Sequence, residues 1–172
     1  LAVPLLGIIL LYFLPLSENA GSLWELHEIL HLRFQNSFGS WRVGIWMATL
    51  RMVFSDGRIA LFGLGPETFL FAIEPFLEEH GIQLLFEFDN PHNLLLGCLA
   101  SSGVPAALLY LWLNLLLLNR CRRGGKAMLP IGAALLLYQL HGMFIFSCVI
   151  VSPMAWCLSG LAAGACISTD RY

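Results

Sequence analysis

Charge is scarce in this chain. Of its 172 residues only 12% are Asp, Glu, Lys or Arg, about half the ~25% of an ordinary soluble domain. Hydrophobic residues make up 58% and the mean hydropathy is +0.77, so long uncharged runs need lipid as part of their solvent. The formal net charge is -2, and no basic stripe alternates with aromatics, which excludes a nucleic-acid partner. No Cys-x-x-Cys pair occurs. Cys98, Cys121, Cys148, Cys157 and Cys166 are scattered mostly through apolar runs, where they read as small hydrophobes, not as a disulfide framework or a zinc site. No basic residue precedes the first apolar run, so it is not a secretory signal, and Leu1 reads as a cut inside a longer protein. Internal repeats and low-complexity linkers are also lacking.

Against these absences stand four apolar runs, at residues 1–16, 94–118, 128–149 and 153–168. A helix crosses a bilayer with about 20 apolar residues; the first run is short, and the fourth reaches that length only through a tight turn at Ser152-Pro153. The loop 119–127 carries Arg120, Arg122, Arg123 and Lys126 without an acid, which places it in the cytoplasm. Counting crossings puts 17–92 outside, where four arginines (Arg33, Arg42, Arg51 and Arg58) stand among ten acids. The expected fold is all-α: a polytopic membrane helix-bundle fragment. Its parts are a truncated span at 1–16, an extracytoplasmic helical loop at 17–92 and C-terminal spans over 93–172.

The outer segment is too long and apolar to be structureless. Residues 22–32 read as a helix with Ser22 as N-cap. Residues 41–54 read as an amphipathic helix, with Ile45, Ala48 and Met52 at one spacing and Val43, Trp46, Leu50 and Phe54 at another. Ser55-Asp56-Gly57 ends it. Gly63 to Pro66 is a turn, with Pro66 suited to the first position of a helix running past Phe71.

Several constellations could carry chemistry. His27-Glu28-Ile29-Leu30-His31 is formally H-E-x-x-H, whose histidines share a helix face and could grip zinc. The third ligand is missing nearby, and the plain alternative is two histidines on an interfacial helix. His92 lies at the start of the second apolar run: Asn90 can cap, Pro91 can take the first helical position, and His92 and Asn93 complete the turn. Free amides and the positive helix end there suit an anion such as phosphate; the alternative is a histidine that only caps. An arginine fork can hold phosphate bidentately, and Arg42, Arg51 and Arg58 qualify, unless each merely snorkels to the headgroups. Gly63-Leu64-Gly65-Pro66-Glu67 is no phosphate loop: it has no lysine, and Glu67 would repel an anion. His141, near Tyr138 and Gln139, is a candidate to line a polar cavity.

Taken in order, three segments resemble the O-antigen ligase and polymerase family of bacterial envelope enzymes. They are Gly39-Ser40-Trp41-Arg42-Val43-Gly44-Ile45-Trp46, then Leu61-Phe62-Gly63-Leu64-Gly65-Pro66-Glu67-Thr68-Phe69, then Asn90-Pro91-His92-Asn93-Leu94-Leu95-Leu96 with the small-residue break Gly103-Val104-Pro105. The resemblance covers about residues 37 to 168. It implies a multi-pass glycosyltransferase of the bacterial cytoplasmic membrane that needs no cofactor or metal. Its donor would be a lipid-linked oligosaccharide on undecaprenyl pyrophosphate, and its acceptor a hydroxyl of a glycan, lipid, cell-wall polymer or protein. It implies Arg42 and His92 as catalytic residues, Arg42 against the pyrophosphate and His92 taking the acceptor's proton. Asn93, Arg51 and Arg58 are the expected substrate-binding side chains. The chain departs from the family in lacking its N-terminal two thirds, and in carrying Trp41 where glycine is frequent. A membrane zinc protease on His27, Glu28 and His31, and a non-enzymatic bundle fragment, are the competing readings.

Overall fold

The computed structural model describes residues 7, 10–33, 35–85, 87–144 and 151–169. Much of the first apolar run and the end of the third (145–149) therefore lie outside the described residues. Among those described, every regular element is helical and no strand occurs. The chain divides into two compact units, Leu1–Met47 with Leu84–Glu87, and Ala48–Gln83 with Phe88–Tyr172.

In the first unit a 3-10 turn at Glu18–Ala20 leads into α1 (Ser22–Leu30). Gly21, at φ 58°, caps it, so Ser22 is the first helical residue and not the cap. Leu32 adopts φ 59°, which turns the chain away before the expected end. Phe38 is 1% exposed, with the Trp24 ring edge-on at 5.4 Å, and the Gly39 amide donates to the Glu25 carboxylate at 3.1 Å. Gly39, Ser40 and Trp41 are all left-handed, at φ 62°, 58° and 67°. Trp41 thus holds a conformation that favours glycine.

Helix α2 (Arg42–Ser55) buries Ile45, Ala48, Thr49, Met52 and Val53 and exposes Met47, Arg51 and Phe54. Ile45, Ala48 and Met52 are the first expected set and are buried, whereas of the second set Val43, Trp46 and Leu50 are only half-buried and Phe54 is exposed. Asp56 accepts the Arg58 amide at 2.8 Å and so starts α3 (Gly57–Phe62), a short helix with no apolar period to announce it. Helix α4 (Phe69–Glu79) begins after Thr68, whose hydroxyl donates to the Leu64 and Gly65 carbonyls. Pro66 therefore belongs to the turn and not to the helix start.

One element among the described residues, α5 (Leu94–Arg123), is long and apolar enough to cross a membrane, and only 22% of its most apolar window is buried. Leu108, Leu109, Trp112 and Leu115 are exposed on it. It is not a single rod. Gly103 has φ 80° and ψ 176°, outside the helical region, and Pro105 follows. Leu94 and Tyr110, about 24 Å apart along a straight helix, line the same cavity of about 70 Å³. The 94–102 stretch therefore bends back beside the 104–123 stretch. The latter alone is about 30 Å long, the thickness of a bilayer's hydrocarbon core. Its basic residues lie mostly within the last helical turn, leaving Gly124 and Gly125 as the turn before a 3-10 segment, Lys126–Met128.

Helices α6 (Leu129–Gly142) and α7 (Ser152–Thr169) pack on α5 and on each other. Leu117, Cys121, Met128, Leu135 and Ala162 form their shared core. Close approach depends on small residues: a Cβ on Gly132 would stand 2.8 Å from that of Cys121, and one on Gly142 3.0 Å from Leu94. Within the bundle the Tyr110 hydroxyl donates to Gln139 Oε1, and Gln139 Nε2 donates to Asn114 Oδ1, both at 2.7 Å. Such a closed polar chain is what an apolar surround demands.

Candidate functional site

The site grows from the break in α5. Pro105 has no N–H to offer the Ser101 carbonyl, and Gly103 takes the backbone out of helical register. The turn after α3 fills the gap: the Leu64 amide donates to the Ala100 carbonyl at 2.8 Å and the Gly65 amide to the Ser101 carbonyl at 2.9 Å. Both glycines at the crossing are obligatory. A Cβ on Gly63, at φ 73°, would collide with the Ser101 backbone, and one on Gly103 with the Leu61 carbonyl.

The other wall is the segment before α5. Asn90 Oδ1 accepts the His92 amide at 2.9 Å, and its Nδ2 donates to Asp89 at 2.6 Å. His92 has φ 46°, and Asn93 returns to extended backbone. The N-cap is Asn93, not Asn90: its Oδ1 accepts the Leu95 and Leu96 amides, both at 3.0 Å. Its Nδ2 donates to the Met143 carbonyl at 2.9 Å, which ties the helix start to the end of α6. Pro91 and His92 thus precede the helix, correcting the expected register by three residues.

Between these walls lies a cavity of about 580 Å³, within the usual range for small-ligand sites. The turn 64–67, Asp89, Asn90, Pro91, Asn93 and the α5 residues Leu94, Gly97, Cys98, Ala100 and Ser101 line it, with Tyr110 and Trp156 closing it. Among the described residues its charged side chains are Glu67 and Asp89, and no lysine, arginine or histidine lines it.

The other expected residues are placed as follows. His92 is half-buried, its ring edge-on to Phe88 at 5.7 Å; it does not line the cavity. Asn93 does line it, 4% exposed, with its side chain committed to capping. Arg51 and Arg58 are exposed and not on the cavity wall. Arg42, in the first unit, donates from Nη1 to the Gly39 carbonyl at 3.0 Å, and its Nε is buried without a partner among the described residues. His141 is exposed, whereas its neighbours Tyr138 and Gln139 line the 70 Å³ cavity.

His27, Glu28 and His31 stand together at the end of α1. His31 Nδ1 pairs with the His27 carbonyl at 2.9 Å, and its ring stacks on Tyr12 at 4.3 Å. Glu28 stands between His27 at 3.4 Å and Arg33 at 3.5 Å. Among the described residues, no group of three His, Cys, Asp or Glu side chains is arranged to hold a metal.

Asp89, Tyr110 and Trp156 were not singled out from the sequence. They lie on three different elements, and no periodicity or spacing marks them as neighbours. Comparison with protein-family models, curated proteins and solved structures finds no match for this chain.

Proposed function

We propose that the chain is the C-terminal part of a polytopic bacterial inner-membrane glycosyltransferase of the O-antigen ligase and polymerase kind. It moves a glycan from undecaprenyl pyrophosphate to an acceptor hydroxyl on the extracytoplasmic face. The observation that supports this reading is the meeting of two of the three motif segments. Leu64, Gly65, Pro66 and Glu67 of the turn and Asn90, Pro91 and Asn93 of the later segment, distant in sequence, wall one cavity, and the Gly103 break is the joint between turn and helix.

The chemistry follows from the reaction's charge changes. The acceptor oxygen attacks the anomeric carbon, the carbon–oxygen bond to phosphate breaks, and lipid pyrophosphate leaves with its electron pair. Arg42 offsets the charge growing on that leaving group, and His92 takes the acceptor's proton. Helices α6 and α7, packed on the lipid-exposed α5, complete the membrane part in this reading.

The test uses the full-length protein and a lipid-linked glycan donor. His92→Ala and Arg42→Ala should each abolish transfer while the protein still accumulates in the membrane. Loss of one positioned proton acceptor costs about 10²–10⁴ in rate, enough to erase a glycan ladder on a gel. Arg42→Lys should also fail substantially, since an ammonium does not reproduce the guanidinium fork, whereas His27→Ala and His31→Ala should stay active. Near-normal transfer by His92→Ala at wild-type abundance would sink the assignment.

A further inference from the structure

The charge of the 580 Å³ cavity is wrong for the phosphate end of such a donor. Glu67 and Asp89 both reach it and, among the described residues, no cationic side chain does, so a pyrophosphate there would meet two like charges without a counter-ion from them. What the lining offers is hydrogen-bond capacity beside an open aromatic face. The two carboxylates only accept, the Ser101 hydroxyl both donates and accepts, and Trp156 is 58% exposed. Asp89 is held in place by the 2.6 Å bond from Asn90. Acceptors that bind several hydroxyls, next to an indole on which the apolar face of a pyranose ring can lie, describe a receptor for a sugar.

We infer that this cavity is a subsite for a neutral, hydroxyl-rich glycan, read by the Glu67 and Asp89 carboxylates and stacked on Trp156. The inference rests on the glycosyl-transfer reading only for the source of that glycan, donor or acceptor. A carboxylate–hydroxyl bond is charge-assisted, and weakening it costs about tenfold in affinity.

The probe is the phosphate-free glycan released by mild acid from the cells' own lipid-linked donor, titrated calorimetrically into purified full-length protein. Glu67→Gln and Asp89→Asn, both on exposed side chains, should each weaken its binding about tenfold with unchanged thermal unfolding. Inorganic pyrophosphate, titrated in parallel, should bind both variants as it binds the wild type. In steady-state transfer, a raised KM for the acceptor or for the donor then assigns the glycan's source, and either supports the subsite. Wild-type glycan affinity in both variants overturns the inference, as does glycan binding that needs added calcium and vanishes with chelator. Glycan binding without any transfer by the wild type would instead remove the glycosyl-transfer reading and leave the subsite standing.

Discussion

Asn93 uses both ends of one side chain on two different helices. Its Oδ1 closes the first turn of α5, and its Nδ2 satisfies the Met143 carbonyl. Asn93→Ala removes a cap worth about 0.5–2 kcal/mol and strands a carbonyl at about 1–3 kcal/mol. A loss of about 2–4 kcal/mol in unfolding free energy should follow. Asp is as good an N-cap as Asn in general, yet Asn93→Asp should not rescue, because a carboxylate oxygen would face the Met143 carbonyl. Full stability of the Asp variant in a denaturant titration would show that the inter-helix bond contributes nothing. This residue also shows what sequence can and cannot say. Asn90 and Asn93 both precede the same apolar run, and both do accept a backbone amide two residues on. The choice of true cap depends on a carbonyl some fifty positions away, which no local pattern contains.

The elements divide in the same way. The buried stripe of α2 was legible, because Ile45, Ala48 and Met52 repeat at the helical period and periodicity is a local property. Helix α3 was not, since six residues give no period. A small-residue break at Gly103-Val104-Pro105 was visible, but not the turn that fills it, which comes from another part of the chain. That junction makes a sharp prediction. Gly63→Ala and Gly103→Ala each add a Cβ that meets backbone and force alanine into φ > 0. Each should destabilise by more than the ~1 kcal/mol that glycine's conformational freedom alone is worth. Gly160, with open space at its Cβ, should accept alanine at little or no cost. Pro105→Ala should change stability little, since the Ser101 carbonyl already holds the Gly65 amide. Thermal unfolding of the four variants checks the order.

At the scale of the whole molecule the proposed reading fixes which way the chain would sit in a membrane. Arg120, Arg122 and Arg123 close the one described helix long and apolar enough to cross a membrane, and Lys126 follows; if that helix spans, the positive-inside rule puts this end in the cytoplasm. In a background without the native cysteines, a cysteine at Asp56 should react with an impermeant reagent on intact cells and one at Gly124 should not. The reverse pattern would put the cavity on the cytoplasmic side and end the extracytoplasmic reading. The α3–α5 junction has a consequence of another kind, for how freely the sequence can drift. Its two hydrogen bonds run between main-chain atoms, so they impose no side-chain identity at Leu64 or Ser101. A saturation library scored for membrane accumulation should be sharply depleted at Gly63 and Gly103 and nearly flat at those two neighbours. Selection on this joint records itself in two glycines, and the architecture can outlast most of the letters that spell it.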